Sequence, residues 1–358
     1  MSLVNSWENG VRRVIPYTPG EQPVGNDIVK LNTNENPYPP SPKVKAALES
    51  FDCDKMRLYP NPDSEVLVNA IAERYGVKPS QVFVGVGSDD VISMAFMTFF
   101  NSGKKIFFPD ITYSFYDVWA DVYRIPYEVK PLSDDFKINP DDYKTENGGI
   151  IFPNPNAPTG VLEEVEVIED IIKANQNSVV MIDEAYIDFG GESCLPLVEK
   201  YENLLVIQTF SKSRSMAGMR IGFAIGSEKL IKYLNDVKFS VNSYTMNHIT
   251  QICGAEAVKD EEYFQTTVNK IIETREYAKK ELAKLGFTFT DSKSNFIFAS
   301  NSKCDAGDIF RALKEKKIFV RYWNKPRISN YLRISVGTRS EMDILLAALE
   351  EILKGGSL

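Results

Sequence analysis

The segment TFSKSRSMAGMR, residues 209–220, decides the fold and the chemistry that we expect of this chain. It follows the apolar run LLVIQ at 204–208, which predicts a buried strand. Lys212 therefore lies at the carboxyl end of a predicted parallel strand, where open α/β sheets bind ligands. Ser211 and Arg220 flank it, and both a hydroxyl and a guanidinium hydrogen-bond phosphate. A lone lysine in a polar loop is usually solvated, but an amine beside a phosphate clamp is what a pyridoxal-phosphate Schiff base on Lys212 requires.

A second segment, VVMIDEAY at 179–186, delivers a carboxylate and a phenol at the end of an apolar strand. A carboxylate rarely occupies such a place without a partner. Asp183 either caps the next loop, binds a metal, or keeps a pyridine nitrogen protonated. We expect the last of these, with the Tyr186 hydroxyl bonded to the cofactor's phenolate oxygen.

The turn FPNPNAPTG at 152–160 follows another apolar strand. Its prolines and glycine form a rigid turn whatever its function. A rigid turn also holds Asn156 in one orientation, and we expect its amide to donate to the same phenolate oxygen. That bond favours the deprotonated phenolate and lowers the Schiff-base pKa.

The segment VGVGSDD at 84–90 opens a predicted helix. Its G-x-G invites a dinucleotide interpretation, but the third glycine is absent. A glycine turn at a helix start still offers backbone N–H groups to phosphate, and we assign that role to Gly87, Ser88 and Asp89. Tyr113 is predicted to stack on the pyridine ring, with an ordinary core position as the alternative.

The remaining patterns indicate an α/β fold with two domains. Short apolar runs separated by helical stretches predict a mostly parallel sheet between helices; they lie at 82–86, 105–108, 149–152, 179–182, 204–208 and 221–225. Beyond the last of them, the helices and strands predict a smaller α+β unit. We expect an N-terminal arm at 1–40, a large domain at 41–240 and a small domain at 241–358.

Composition narrows the classes of function. A net charge of -8 argues against nucleic acid or an anionic membrane as partner. The four cysteines are scattered, and the single histidine, His248, suits neither a hydrolytic triad nor a zinc site, so no metal is expected. Because the first ten residues lack a signal-peptide pattern, we expect a cytoplasmic enzyme.

These segments, taken in order, resemble the fold-type I pyridoxal-phosphate aminotransferases, and in particular the histidinol-phosphate aminotransferase family. The resemblance covers nearly the whole chain and is carried by YTPG at 17–20, LNTNENP at 31–37, LYPNPD at 58–63, GSD at 87–89, the Asn156 turn, DEAY at 183–186, SK at 211–212 with Arg220, and LRISVG at 332–337.

The resemblance implies roles for residues that no motif explains alone. Lys212 would move the proton between the substrate's α-carbon and the cofactor, and Tyr59 would reach the phosphate from a neighbouring subunit, which implies a homodimer with shared active sites. The substrate, an amino donor or a 2-oxo acid, would be bound by Tyr17, Asn34, Arg321 and Arg333. Ordinary salt bridges on a small-domain sheet are the alternative for the two arginines.

Several functions remain open at this point. The family resemblance implies transamination of histidinol phosphate with glutamate, but an aromatic amino-acid aminotransferase or a threonine-phosphate decarboxylase shares the cofactor residues. Arg214, which stands where the family is more apolar, puts the substrate preference in doubt. A non-catalytic pyridoxal-phosphate regulator and a nicotinamide oxidoreductase are the alternatives from other classes.

Overall fold

The protein, represented by a computed structural model, is described over residues 6–25 and 27–355. Residues 1–5 of the expected arm and 356–358 of the expected small domain lie outside this range. Along the described chain the helices and strands are β1 (Val29–Lys30), α1 (Pro42–Glu49), α2 (Glu65–Tyr75), β2 (Val82–Gly85), α3 (Ser88–Phe99), β3 (Ile106–Pro109), α4 (Tyr116–Tyr123), β4 (Tyr127–Lys130), β5 (Gly149–Pro153), α5 (Val165–Ala174), β6 (Val180–Asp183), β7 (Leu204–Thr209), β8 (Gly222–Gly226), α6 (Glu228–Val241), α7 (His248–Val258), α8 (Glu261–Lys284), β9 (Phe287–Phe289), β10 (Phe296–Asn301), α9 (Ala306–Glu315), β11 (Ile318–Phe319), β12 (Arg321–Tyr322), β13 (Leu332–Ser335) and α10 (Arg339–Lys354).

The large sheet has seven strands in the order β2-β8-β7-β6-β5-β3-β4. All neighbours are parallel except β8, which runs antiparallel to both β2 and β7. The central strands are apolar and buried along their whole length, because helices cover both faces. The mostly parallel α/β sheet predicted from the apolar runs is confirmed.

The two faces of this sheet carry separate cores. One face packs against α1, α2, α5 and α7, with Leu67 and Ile171 among its buried residues. The other packs against α3, α4 and α6, where Phe96 and Tyr116 are buried. The five adjacent parallel strands β7, β6, β5, β3 and β4 thus bring their carboxyl ends to one edge. At that edge β6 presents Asp183, and β7 leads into the turn at Lys212.

A second, four-stranded antiparallel sheet of order β12-β13-β10-β9 packs against α8, α9 and α10. The N-terminal segment joins this unit, because β1 pairs in parallel with β11 and Leu31 is buried in the same core. The helix α7 packs on α1 and α2 within the core of the large sheet. We therefore propose that the domain boundary, expected near residue 240, lies at the α7–α8 junction close to Asp260.

Three details differ from the sequence-based expectations. The sequence pattern predicts a helix over 161–174, but α5 begins at Val165 because residues 161–164 complete the preceding turn. The pattern at 318–321 predicts one strand, whereas the structure has two short strands there, β11 and β12, which pair with different partners. The edge strand β4 was not predicted, since two of its residues are exposed and its pattern is too polar to stand out. No helix of the described residues is long and apolar enough to span a bilayer.

Candidate active site

A cavity of about 360 Å³ opens between the carboxyl edge of the large sheet, the small domain and the N-terminal segment. Lys212, Tyr113 and Tyr186 from the large domain lie in its wall. All four predicted substrate-binding residues also line it, namely Tyr17, Asn34, Arg321 and Arg333. The fold therefore brings the predicted catalytic lysine and the predicted anion-binding residues to a single cavity.

The turn that carries Lys212 is fixed from several sides. Its Nζ donates to the carbonyl oxygen of Thr33 at 3.3 Å and lies 5.9 Å from the Tyr186 ring centroid. Asn36 donates from Nδ2 to the carbonyl oxygens of Lys212 and Ser213. The Ser213 hydroxyl in turn donates to Asp188, a half-buried carboxylate. The backbone at Lys212 is thus held in place, and within the part of the chain that the structure describes its amine is bound to a neutral carbonyl alone.

Asp183 ends β6 in a fully buried position. Its Oδ2 accepts a hydrogen bond from the Tyr116 hydroxyl at 2.9 Å, and its Oδ1 accepts from the backbone N–H of Ala185 at 3.2 Å. Burial raises the pKa of this carboxyl to about 6, although both hydrogen bonds and Lys212 act in the opposite direction. A carboxylate in such a place is suited to a cationic partner above it.

Tyr186 is buried, and its hydroxyl accepts a hydrogen bond from Asn34 Nδ2 at 3.0 Å. Asn34 is held at φ 55°, where Ser335 Oγ accepts from its backbone N–H and donates to its side-chain oxygen. Asn295 Nδ2 also donates to its carbonyl oxygen at 2.9 Å. Asn34 thus positions the Tyr186 phenol, and sequence analysis placed it near substrate without seeing this role.

Asn156 lies in the buried turn after β5, but its amide is oriented otherwise than we expected. Its Nδ2 donates to the Ile111 carbonyl and to Thr159 Oγ1, whereas its Oδ1 has no hydrogen-bond partner. Both Nδ2 hydrogens are therefore already donated, and donation to a phenolate needs one of these two bonds to be released. A role of Asn156 toward the cofactor stays a prediction.

The predicted phosphate-binding residues meet at the start of α3. Gly87 is the N-cap residue at φ 90°, and a Cβ there would lie 2.5 Å from Arg220 Nη2. A Cβ on Gly222 would lie 2.2 Å from the Ser88 backbone nitrogen. Only glycine fits at both positions, so the guanidinium and the free N–H groups of the helix start approach one another.

Arg220 and its neighbours connect this helix start to the cavity. Arg220 Nη2 contacts Asp89 Oδ2 at 3.1 Å, and the Tyr113 hydroxyl donates to Asp89 Oδ1 at 2.9 Å. Ser211 is buried, and its hydroxyl accepts from Thr209 Oγ1 at 3.1 Å. Asp89 therefore contributes its carboxylate to Arg220 and Tyr113, a role that sequence analysis did not foresee.

Arg333 is a half-buried cation of the small-domain sheet. Its Nη2 donates to the Asn32 carbonyl at 3.1 Å, and its buried Nε has no hydrogen-bond partner. Its guanidinium carbon lies 5.3 Å from the Phe296 ring centroid and 5.1 Å from that of Trp323. Burial lowers the pKa of Arg333, and no carboxylate of the described residues pairs with it.

Arg321 lies beside Arg333 on the adjoining strand β12. Its Nη1 and Nη2 donate to the carbonyl oxygens of Pro19 and Thr18, so the N-terminal arm is bound through this residue. The Trp323 ring centroid is 5.4 Å from the Arg321 guanidinium carbon and thus contacts both cations. Trp323 lies two residues after Arg321 in the chain, but no pattern in the sequence predicted that its ring contacts both arginines.

Tyr17 closes the aromatic side of the cavity. Its ring is stacked on Phe115 at 4.1 Å between centroids and lies 6.5 Å from the Tyr113 ring. Tyr59 lies elsewhere, in a second cleft of about 620 Å³ that Arg220 also lines. It is 80% exposed and stacked on Tyr244, so its predicted role toward a neighbouring subunit stays a prediction.

Arg214 does not face the cavity. It is buried, its Nη1 donates to the Ala257 carbonyl at 2.9 Å, and its guanidinium carbon lies 4.1 Å above the Phe264 ring. The doubt that its presence raised about substrate preference is therefore removed, because its contacts are to the α7–α8 region. It supports the Lys212 turn from behind.

Comparison with known proteins identifies the family. Residues 26–349 match the family described as aminotransferase class I and II. The histidinol-phosphate aminotransferase of Lactococcus lactis subsp. cremoris (strain MG1363) is 54% identical over 349 residues, covering 98% of each chain. That of Clostridium botulinum (strain Kyoto / Type A2) is 51% identical over 347 residues, covering 97% of this chain and 98% of that one.

Solved structures agree on the fold. The histidinol-phosphate aminotransferase of Sinorhizobium meliloti, in complex with pyridoxal-5′-phosphate, has a TM-score of 0.84, 22% identity and covers 92% of both chains. The enzyme of the same name from Clostridium acetobutylicum has a TM-score of 0.85 at 20% identity, over 92% of this chain and 100% of that one. The expected fold-type I resemblance is confirmed, and the nicotinamide alternative loses its basis. This chain belongs to the class I and II aminotransferases.

Proposed function

We propose that the protein transfers the amino group of glutamate to imidazole acetol phosphate, giving histidinol phosphate and 2-oxoglutarate, in histidine biosynthesis. The observation that carries the proposal is the pair Arg321 and Arg333, which line the cavity with Lys212 and have no carboxylate partner among the described residues. Two adjacent cations suit a phosphate monoester in one half-reaction and a carboxylate in the other. The names of the relatives that are 54% and 51% identical support the same substrate.

The residues present fit pyridoxal 5′-phosphate, the cofactor of this family. Helix N–H groups and Arg220 meet at the glycine cradle of Gly87, the buried Ser211 precedes Lys212 in its turn, and a buried carboxylate stands at the end of β6. When bound, the cofactor supplies an electron sink that stabilises negative charge at the substrate's α-carbon. Asp183 would hold the ring nitrogen, and the Tyr186 hydroxyl would donate to the ring oxygen.

The chain's own groups then divide the work. Lys212 Nζ, whose one hydrogen bond within the described residues is to a carbonyl oxygen, is free to take a proton from the substrate's α-carbon and to return it to the cofactor. Tyr17 and Tyr113 cover the cavity and exclude water on one side. Arg333 binds the distal anion and so orients the substrate amine toward Lys212.

A homodimer with shared active sites is part of the proposal. The second cleft exposes a cluster of large apolar side chains next to Arg220, and a partner subunit would cover them. These residues are Met56, Leu58, Tyr59 and Tyr244. Tyr59 would then reach the phosphate bound by the other chain. A cytoplasmic location is supported by the four free cysteines, one of them exposed, since such thiols persist in reducing compartments.

The test is a set of half-reactions with the purified holoenzyme, followed by the absorbance of the bound cofactor. We expect histidinol phosphate and glutamate to convert the cofactor to its amine form, with histidinol phosphate giving the higher kcat/KM. Conversion by phenylalanine or tyrosine without conversion by histidinol phosphate would assign the protein to aromatic amino acids. Release of carbon dioxide from threonine phosphate would assign it to the decarboxylases, and no reaction with any of them would favour a non-catalytic regulator.

A further inference from the structure

Tyr116 makes a contact that the assignment above leaves unused. It begins α4, three residues after Tyr113, and is completely buried. Its hydroxyl donates to Asp183 Oδ2 at 2.9 Å, and both groups are removed from solvent. Water does not compete for a hydrogen bond between a buried phenol and a buried carboxylate, so such a bond is strong.

The Tyr116 ring has little freedom to move. Its centroid lies 5.8 Å from that of Tyr113, 6.0 Å from that of Phe108, 6.3 Å from that of Trp119 and 6.5 Å from that of Phe96. Two of these contacts, to Tyr113 and Phe108, have edge geometry. The direction of the hydroxyl is thus set by the core of the large sheet.

We infer that Tyr116 is a positioning residue, which keeps the carboxylate of Asp183 ionised and in one orientation for the ring nitrogen of the cofactor. The inference rests on the cofactor and not on the choice of substrate. Asp183 has only two hydrogen-bond donors within the described residues, and Ala185 N–H occupies the other oxygen. Without Tyr116, Oδ2 would be buried with no donor, and its carboxylate would favour the protonated form.

The charged and titratable groups around Asp183 determine the direction of the effect. Asp89 on α3 raises its pKa, whereas Lys212 and the Tyr116 hydrogen bond lower it. Burial and the neighbouring Asp183 raise the pKa of Tyr116 well above its usual value, so the phenol remains a donor over the working pH range. The phenols of Tyr113 and Tyr186 also face this pair. Removal of the Tyr116 hydroxyl therefore raises the pKa of Asp183.

The experiment compares the holoenzymes of Tyr116→Phe and Tyr143→Phe with the wild type. Tyr143 is a matched control, because it is equally buried and its hydroxyl has no hydrogen-bond partner in the structure. We expect Tyr116→Phe to bind pyridoxal phosphate about tenfold more weakly by equilibrium dialysis, since a hydrogen bond to a charged group is lost. The acid limb of its pH profile for kcat, with glutamate as donor, should move to higher pH.

The outcomes of this experiment can be distinguished from those of the substrate assay. Unchanged cofactor affinity and an unchanged pH profile in Tyr116→Phe would overturn the inference, as would equal changes in both variants, which would indicate a general effect of losing a buried hydroxyl. A pH titration of the bound cofactor's absorbance repeats the test on cofactor-holding molecules alone, so partial misfolding does not obscure it. Failure of histidinol phosphate as a substrate would leave these results untouched.

Discussion

The candidate site has two ends, one around Asp183 and the helix start at Arg220 and one in the cavity at Arg321 and Arg333, and they differ in how their charged groups are satisfied. At the end built by the large sheet, Arg220 pairs with Asp89, and Asp183 accepts hydrogen bonds from Tyr116 and a backbone N–H. At the end built by the small domain, Arg321 and Arg333 have only carbonyl oxygens and aromatic faces as partners. At the first end the named charges have a counter-ion or hydrogen-bond donors within the protein, whereas the second end has positive charge in excess.

The difference follows from what each end must bind. The cofactor end holds one resident group, so its side chains are arranged by the sheet and by buried neighbours. The anion end must accept two substrates of different shape in turn, and an unpaired guanidinium beside another cation attracts either. The aromatic rings of Phe296 and Trp323 stabilise the half-buried Arg333 cation without a carboxylate that would compete with substrate.

The largest effect is expected at the cofactor end. Lys212→Ala should lower kcat by at least about 10⁴-fold, because the same amine links the cofactor and moves the proton. Turnover with glutamate and imidazole acetol phosphate measures it. Lys78→Ala, an exposed lysine paired with Glu228, is the control and should retain normal turnover. Near-normal rates in Lys212→Ala would refute the assignment of the catalytic lysine.

A smaller effect on activity, without a loss of stability, is expected at the anion end. Arg333→Leu should lower kcat/KM for histidinol phosphate by roughly 30- to 1000-fold, since about 2–4 kcal/mol of binding to a buried charge is lost. The same change removes a half-buried cation that has no carboxylate partner among the described residues, so the thermal midpoint of the unliganded protein should not fall.

The control is Arg339→Leu, because Arg339 is exposed and pairs with Asp343. It should leave kcat/KM unchanged. A marked loss of stability in Arg333→Leu would mean that this arginine holds the small domain together, and the contrast between the two ends would then fail.

The cofactor end was the easier one to predict from sequence. Asp183 is the last residue of the strand β6, and Lys212 lies in the turn that follows β7, so the end of an apolar strand predicts where each side chain lies. Gly87 could be assigned because it lies in the turn that opens α3, and a turn of this kind needs a glycine at that position. These features are local, and a strand followed by a polar turn is visible in one sequence.

The anion end and the supporting contacts are not local. Arg333 reaches the cavity because β13 lies beside β12 and β10, which no single segment discloses. Trp323 and Tyr116 act through partners that are far away in the chain, and their neighbours in sequence carry no signal of those contacts. Asn34 was placed by family resemblance, but its bond to Tyr186 depends on the packing of the N-terminal segment on the small domain.

The smallest expected effect tests whether the buried carboxylate of Asp183 destabilises the folded protein when no cofactor is bound. Burial raises the pKa of Asp183 from 3.8 to about 6, so the folded protein binds its proton more tightly than the unfolded chain does. Its contribution to stability is fully present below about pH 4 and is lost as the pH rises through about 6, by on the order of 2–3 kcal/mol.

Asp183→Asn keeps an acceptor for Tyr116 and removes this titration. Thermal unfolding of both cofactor-free proteins should therefore show the wild type losing stability relative to the variant across that range, and adding pyridoxal phosphate should reverse the order at neutral pH because the wild type binds it more tightly. Parallel unfolding curves at every pH would mean that Asp183 is well satisfied without a cation, and the argument that it stands ready for the ring nitrogen would lose its physical basis.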